Sequence, residues 1–307
     1  MVHGEEIPSD PFEFRFVPAP ESLAPYLNAL ALFRSDRAEM SDIMPSFSPQ
    51  LMLFGEGSVT VHFENGDEQA PGPAFFVTQL DAAVPFTVHG PARSINASLN
   101  VLGWAALTRL PVDETSNRVI AVEDVVGAQT AKRLEHVRNE LGRGAIDLHE
   151  GCSELAAILQ DSLMPLPDAE RFFMVQMRTW LSETFTPDLA VLRERVDLSD
   201  RQIQRLSKKF FGGSPSAIVK RYRAVRAATV LSMPDLPEAV EAEILAAYYD
   251  QAHLIRDLRR YTGRTPRRLQ KDAPTFGAKT LSLQGYGDAS FFDRIIELEA
   301  PGHTDES

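Results

Sequence analysis

With 307 residues, 44% hydrophobic and 24% charged, the chain is long enough for about two domains and too apolar to be disordered. Its net charge of −12 would argue against a nucleic-acid partner, but the charge is divided: residues 171–271 hold 19 Lys/Arg against 11 Asp/Glu, and the remainder 12 against 32. No apolar run reaches the roughly 18 residues of a membrane span, the opening residues lack the regions of a signal peptide, and the lone Cys152 excludes an internal disulfide, so a cytoplasmic protein without a membrane partner is expected.

Residues 10–110 read as β-rich. Short apolar runs at 51–54, 58–63, 74–78, 86–89 and 94–101 are separated by turn signals, Gly55-Glu56-Gly57, Glu64-Asn65-Gly66-Asp67 and Pro71-Gly72-Pro73. A small barrel or sandwich follows. Phe54, Phe63, Phe75, Phe76, Phe86 and Trp104 are candidates to line a ligand cavity, although plain barrel core explains them equally simply. His62 and His89 stand apart without a His-x-His pair, so they do not read as metal ligands. There is no Gly-x-Ser-x-Gly elbow, phosphate-cradling loop or placed Cys/His pair, so no catalytic residue, metal or cofactor is expected. Cys152, beside Glu150 and Glu154, reads as a small buried residue rather than a reactive thiol.

The pattern then turns helical. Ala131, Leu134, Val137 and Leu141 form an apolar stripe on a charged helix, suited either to a dimer seam or to packing on its own barrel. A second helix runs near 153–163, Pro165–Asp168 reads as a linker, and a third helix spans about 169–185. Thr186-Pro187-Asp188 supplies a cap, a first-turn proline and an acid at a helix start.

Two stretches then repeat each other 51 residues apart, 199–215 and 250–266. Each opens on a side chain able to cap a helix, Ser199 or Asp250. Each closes on Gly-x-(Ser/Thr)-Pro, where Gly212 and Gly263 can end the helix and Pro215 and Pro266 prevent its resumption. Ile203, Leu206 and Phe210, matched by Leu254, Leu258 and Tyr261, lie on one face as core. The opposite face carries Arg201, Gln204, Arg205 and Lys208, and in the second copy Ala252, Ile255, Arg256 and Arg259. Arginine can bond guanine through two parallel donors and glutamine can do so for adenine, while apolar groups meet the thymine methyl, so these stripes suit a major groove.

These motifs, 198–205 with 212–215 and 248–256 with 263–266, resemble the AraC/XylS family of bacterial transcription regulators over roughly residues 171–271. The resemblance implies two helix-turn-helix units joined by a central helix near 216–232. It places base contacts on Arg201, Gln204 and Arg205, then on Gln251, Ala252, Ile255 and Arg256. Phosphate contacts are expected from Lys208, Lys209, Lys220, Arg221, Arg259, Arg260 and Arg267. It also implies a cupin-like N-terminal barrel, since 71–77 and 102–107 resemble one uncharacterised branch of such domains, with Phe54, Phe63, Phe76, Phe86 and Trp104 as ligand-site candidates. Where the family has alanine at the helix crossing and glycine in the turn, this chain has Arg193 and Asp197, then Glu243 and Ala247, so looser crossings are expected.

The expected architecture is α+β: a sensor and dimerisation domain at 1–164, a linker at 165–168, a DNA-binding domain at 169–271, and a tail at 272–307 with a short amphipathic helix near 290–298. The expected function is a one-component transcription regulator binding a duplex DNA operator and a small-molecule effector. RNA polymerase is a further partner if it activates, and a homodimer is possible. The competing expectation is a cupin-type metal-dependent or ligand-binding barrel enzyme with a C-terminal interaction domain.

Overall fold

Two long strands with alternating apolar residues organise the N-terminal half. The computed structural model describes residues 12–64, 66, 68–69, 72–233, 238–271 and 276–281; the expected helix near 290–298 lies outside them. Strands β1 (Glu13–Val17), β2 (Leu27–Ser35), β3 (Glu39–Met44), β4 (Gln50–His62), β5 (Glu68–Gln69), β6 (Ala74–Val77), β7 (Val84–Leu99) and β8 (Val119–Ala121) form one antiparallel sheet. Its order is β1-β2-β7-β4-β6-β8, with β3 on β7 and β5 on β4. The expected barrel or sandwich is therefore a single sheet that does not close among the described residues.

The curl of that sheet comes from bulges. Gly55-Glu56-Gly57, expected as a hairpin turn, lies within β4, and the pairing of β4 with β7 shifts register between Phe54 and Glu56 and again between Glu56 and Ser58. Extra residues in one strand bend and twist it without ending it. Gly57 has φ +78°, and a Cβ there would stand 2.6 Å from the His89 carbonyl oxygen. The runs at 86–89 and 94–101 are likewise one strand, β7, whose first half pairs with β3 and whose second half pairs with β2.

Helices follow: α1 (Val101–Thr108), α2 (Val112–Thr115), α3 (Gly127–Arg143), α4 (Leu148–Ser162), α5 (Asp168–Glu183), α6 (Leu189–Val196), α7 (Asp200–Phe211), α8 (Pro215–Leu231), α9 (Glu238–Ala246), α10 (Gln251–Thr262), α11 (Pro266–Lys271) and α12 (Phe276–Thr280). Side-chain alternation gives the sheet two buried faces. Leu51, Leu53, Phe76, Ile95 and Leu99 point outward to Trp104, α3 and α4. Met52, Phe54, Phe75, Phe86 and Val88 point inward with Phe33 and Phe63. The α3 stripe, Ala131, Leu134, Val137 and Leu141, is buried on the chain's own sheet. Cys152 is buried in the same layer, its Sγ 3.8 Å from the Ala31 carbonyl, and burial pushes its thiol up to about 12.

The helical half docks on this domain through the end of α10. A helix leaves its last four carbonyls without helical partners. Here the Gly263 amide donates to Arg259 (3.0 Å), Ala83 to Arg260 (2.8 Å) and Ser46 to Tyr261 (2.7 Å), while the Arg264 guanidinium reaches Thr262 (3.2 Å). Ala83 and Ser46 belong to the sheet domain. Arg264 also pairs with Asp42 on β3 and donates to the Ile43 carbonyl at 3.3 Å; its side chain and that of Asp42 are only 5% and 13% exposed.

Three outcomes are expected. Gly57→Ala forces a side chain into a left-handed conformation and against backbone, costing about 1–3 kcal/mol, whereas Gly66→Ala, with the same φ of +78° but open space, should cost less in parallel urea titrations. Asp42→Ala removes the carboxylate that faces the buried Arg264 and should lower stability by about 3–5 kcal/mol, with part recovered in Asp42→Ala/Arg264→Met. Because the Cys152 thiol stays protonated at pH 8, iodoacetamide should label it only after denaturation, which mass spectrometry reads directly.

Candidate nucleic-acid interface

Each reading helix is started by the residue its sequence offers. In the first unit Asp188 accepts from the Ala190 amide (2.9 Å) to open α6, and Ser199 forms a reciprocal capping box with Gln202 to open α7. In the second, Asp250 accepts from the His253 amide (2.7 Å) to open α10. Both helices end on a left-handed glycine, Gly212 at φ +78° and Gly263 at φ +70°. The paired lysines 208 and 209 and arginines 259 and 260 occupy the last turns, where the helix dipole favours positive charge.

The buried side of α7 carries Ile203, Phe210 and Phe211 into a core with Leu192, Val196 and Ile218, to which α5 adds Phe173, Met177 and Trp180. That of α10 carries Leu254, Leu258 and Tyr261 against α8 and α9. The solvent side of α7 presents Arg201, Gln204, Arg205 and Lys208, all exposed. On α10, Gln251, Ala252, Arg256 and Arg259 are exposed and Ile255 is half-buried. Each helix thus carries one continuous exposed face of hydrogen-bond donors and apolar groups.

The flanking cations divide into two groups. Lys220, Arg260 and Arg267 are exposed to solvent. Arg221, expected at a phosphate, is instead 7% exposed, donates to the Phe211 carbonyl (3.0 Å) and stands 3.8 Å from Asp81 of the sheet domain. Its charge serves packing because the α7 carbonyl end needs a donor there. Lys209 is half-buried, 2.6 Å from Glu170 on α5.

The unusual crossing residues are accommodated. Arg193 points outward, its Nε donating to Asp200 at 2.7 Å, and that bond followed by the carboxylate's charge raises its pKa. Asp197 adopts φ +48°, the left-handed conformation that a turn glycine would supply. In the second unit Arg223 donates to the Ala247 carbonyl (3.1 Å), pairs with Asp257 (3.0 Å) and lies 4.3 Å over the Tyr248 ring. Burial raises the Tyr248 pKa well above the usual tyrosine value. Tyr249, which sequence reasoning treated only as part of the motif, is 94% exposed immediately before the α10 cap.

The five aromatic ligand-site candidates do not converge. Phe54, Phe63 and Phe86 are on the inner face of the sheet, whereas Phe76 and Trp104 pack edge to face at 5.7 Å on the outer one. No single cavity takes all five. The Nε2 atoms of His62 and His89 lie 3.1 Å from Thr87 and Thr60 respectively, and among the described residues no group of three or more His, Cys, Asp or Glu side chains is placed to hold a metal.

No helix among the described residues is long and apolar enough to cross a membrane. Residues 192–272 match the helix-turn-helix domain family. No curated protein gives a match. Among solved structures, ToxT from Vibrio cholerae in its P21 form is 7% identical, with a TM-score of 0.44 over 85% of this chain and 98% of that one. The same protein bound to (E)-4-(8-methylnaphthalen-1-yl)but-3-enoic acid gives the same values. The AraC-like transcriptional activator CuxR is 13% identical, with a TM-score of 0.27 over 71% of this chain and 86% of that one. Likeness at these scores carries no inference about fold or ligand. The capped, twice-repeated helices and the match over their whole span lead to one assignment: residues 192–272 form a helix-turn-helix domain, in the part of the chain whose motifs resemble the AraC/XylS regulators.

Proposed function

We propose that the protein is a cytoplasmic transcription regulator that acts by binding rather than catalysis, reading duplex DNA through α7 and α10 and sensing a small molecule through the curled sheet. The observation that carries this is the pair of exposed stripes, Arg201, Gln204, Arg205 and Lys208 on α7 and Gln251, Ala252, Arg256 and Arg259 on α10, each on a helix whose opposite face is fully engaged in core. The sensor role is supported by the sheet domain's contacts with both units: Asp81 faces Arg221 at 3.8 Å, and Ser46 and Ala83 hold the end of α10. RNA polymerase is the further partner if regulation is positive. A second copy of the chain would have to use a surface other than the α3 stripe, which the chain's own sheet occupies.

Base reading belongs to Arg201, Gln204, Arg205, Gln251, Ala252, Ile255 and Arg256. Phosphate attraction belongs to the exposed Lys208, Lys220, Arg259, Arg260 and Arg267, with Lys209 able to join by leaving Glu170. Arg205→Ala and Arg256→Ala should each cost about 1–3 kcal/mol on the specific operator and relax preference at the base contacted. Lys220→Ala should weaken every sequence alike and flatten the salt dependence, since each phosphate neutralised contributes about 0.9 to the slope of log affinity against log salt. Gel shifts over a salt series on selected and scrambled duplexes measure both effects; unchanged preference in the two arginine variants would remove these helices from the groove.

A further inference from the structure

The inner face of the sheet already holds an aromatic ring from the far end of the chain. Helix α12 carries Phe276 into it, edge to face with Phe14 and Phe86 at 5.1 Å each and with Phe33 at 6.2 Å. Five residues later Leu281 is fully buried in the other core, among residues of α8 and α10 such as Val230 and Leu258. One short segment therefore stands in the core of the sheet and in that of the second reading unit.

Two voids, of about 40 and 20 Å³, flank the Phe276 ring and share Met44, Met52 and Asn96 as walls. Each is well below the roughly 150 Å³ that admits benzene. With the ring withdrawn, its own space joins the two voids into one aromatic-lined site. Among the described residues the lining includes no charged side chain, which disfavours a carboxylate or an ammonium group. It does include a hydroxyl in want of a partner: Ser94 is 1% exposed, its Oγ makes no hydrogen bond, and it borders the smaller void. Buried polar atoms are seldom left so.

Resting on the sensor reading above, we propose that Phe276 is the built-in occupant of the effector site. The site takes a neutral, flat, largely apolar ligand with one hydrogen-bonding group for Ser94. Its entry expels Phe276 and, through Leu281, alters the second reading unit. The ring and the ligand compete for one space, so the apparent affinity of the ligand is lowered by the fraction of molecules in which the ring is seated.

The test uses the full chain and 1-naphthol as probe, with 1-naphthoate as its charged counterpart, by titration calorimetry. Phe276→Ala should bind 1-naphthol at least about tenfold more tightly than the unaltered protein, and Phe276→Leu to an intermediate degree. Adding Ser94→Ala to Phe276→Ala should remove about two- to tenfold of that affinity, the range of one hydrogen bond. In the unaltered protein 1-naphthol should speed amide exchange at residues 276–281, a readout that holds even if Phe276→Ala fails to fold. It should also shift DNA affinity in the direction that Phe276→Ala does alone, with no further shift in that variant. Equal affinity in all three proteins with unchanged exchange overturns the plug and leaves the sensor reading standing. A preference for 1-naphthoate overturns the ligand class. Binding of 1-naphthol that expels the ring yet leaves DNA affinity unchanged overturns the sensor reading and, with it, the coupling through Leu281.

Discussion

The second reading helix is not self-sufficient. Two of the four carbonyls at the end of α10, those of Arg260 and Tyr261, are satisfied by amides of Ala83 and Ser46, which lie in loops of the sheet domain. Unpaired buried carbonyls are costly, so the helix end and those loops hold each other in place. The neighbouring residues build on that contact. Gly263 has room for no Cβ because Ile43 would stand 2.5 Å from it, and Arg264 crosses to Asp42. The loop that supplies Ala83 also carries Asp81, facing Arg221 behind the first reading helix. A single loop of the sheet domain thus meets both helix-turn-helix units.

What the sequence revealed was local. Ser199 and Asp250 are read as caps because a cap bonds residues two or three positions on, and the structure places both there, whereas the cap expected at Thr186 falls two residues later, at Asp188. The exposed and buried sides of α7 and α10 follow from helical spacing alone. The signals that misled depend on distant partners. Gly-x-Gly suits a hairpin turn and a bulge equally, and only the strand lying opposite, some 35 residues away at Gly90–Ala92, makes Gly55-Glu56-Gly57 a bulge. Phe76 and Trp104 could not be separated from Phe54 and Phe86 without the register, which sends alternate residues to opposite faces. The choice of the α3 stripe for its own sheet was equally invisible, because an apolar stripe does not name its partner.

The basic balance of the C-terminal region is also divided in a way that sequence does not show. Arg221, Arg226 and Arg264 are buried, and Arg223 keeps only 10% of its side chain exposed. Their planar guanidinium forks serve backbone carbonyls and the carboxylates of Asp42, Asp81 and Asp257, a task for which lysine lacks the geometry. The field that a duplex meets comes from the remaining exposed cations. It is weaker than the residue count suggests and concentrated along the two helices.

Arg226 has a consequence for how the molecule can be divided. It is 1% exposed on α8, and its guanidinium is taken up by the carbonyls of Leu181 and Thr184 at the end of α5. Helix α5 also supplies Phe173, Met174, Met177 and Trp180 to the core beneath α7. A fragment starting at residue 192, where the family match begins, would take the Leu181 and Thr184 carbonyls away from a buried cation and open that core to water. A piece that keeps these contacts begins no later than Asp168, and even that piece would carry a bare apolar face where Leu102 and Ala105 of α1 now rest.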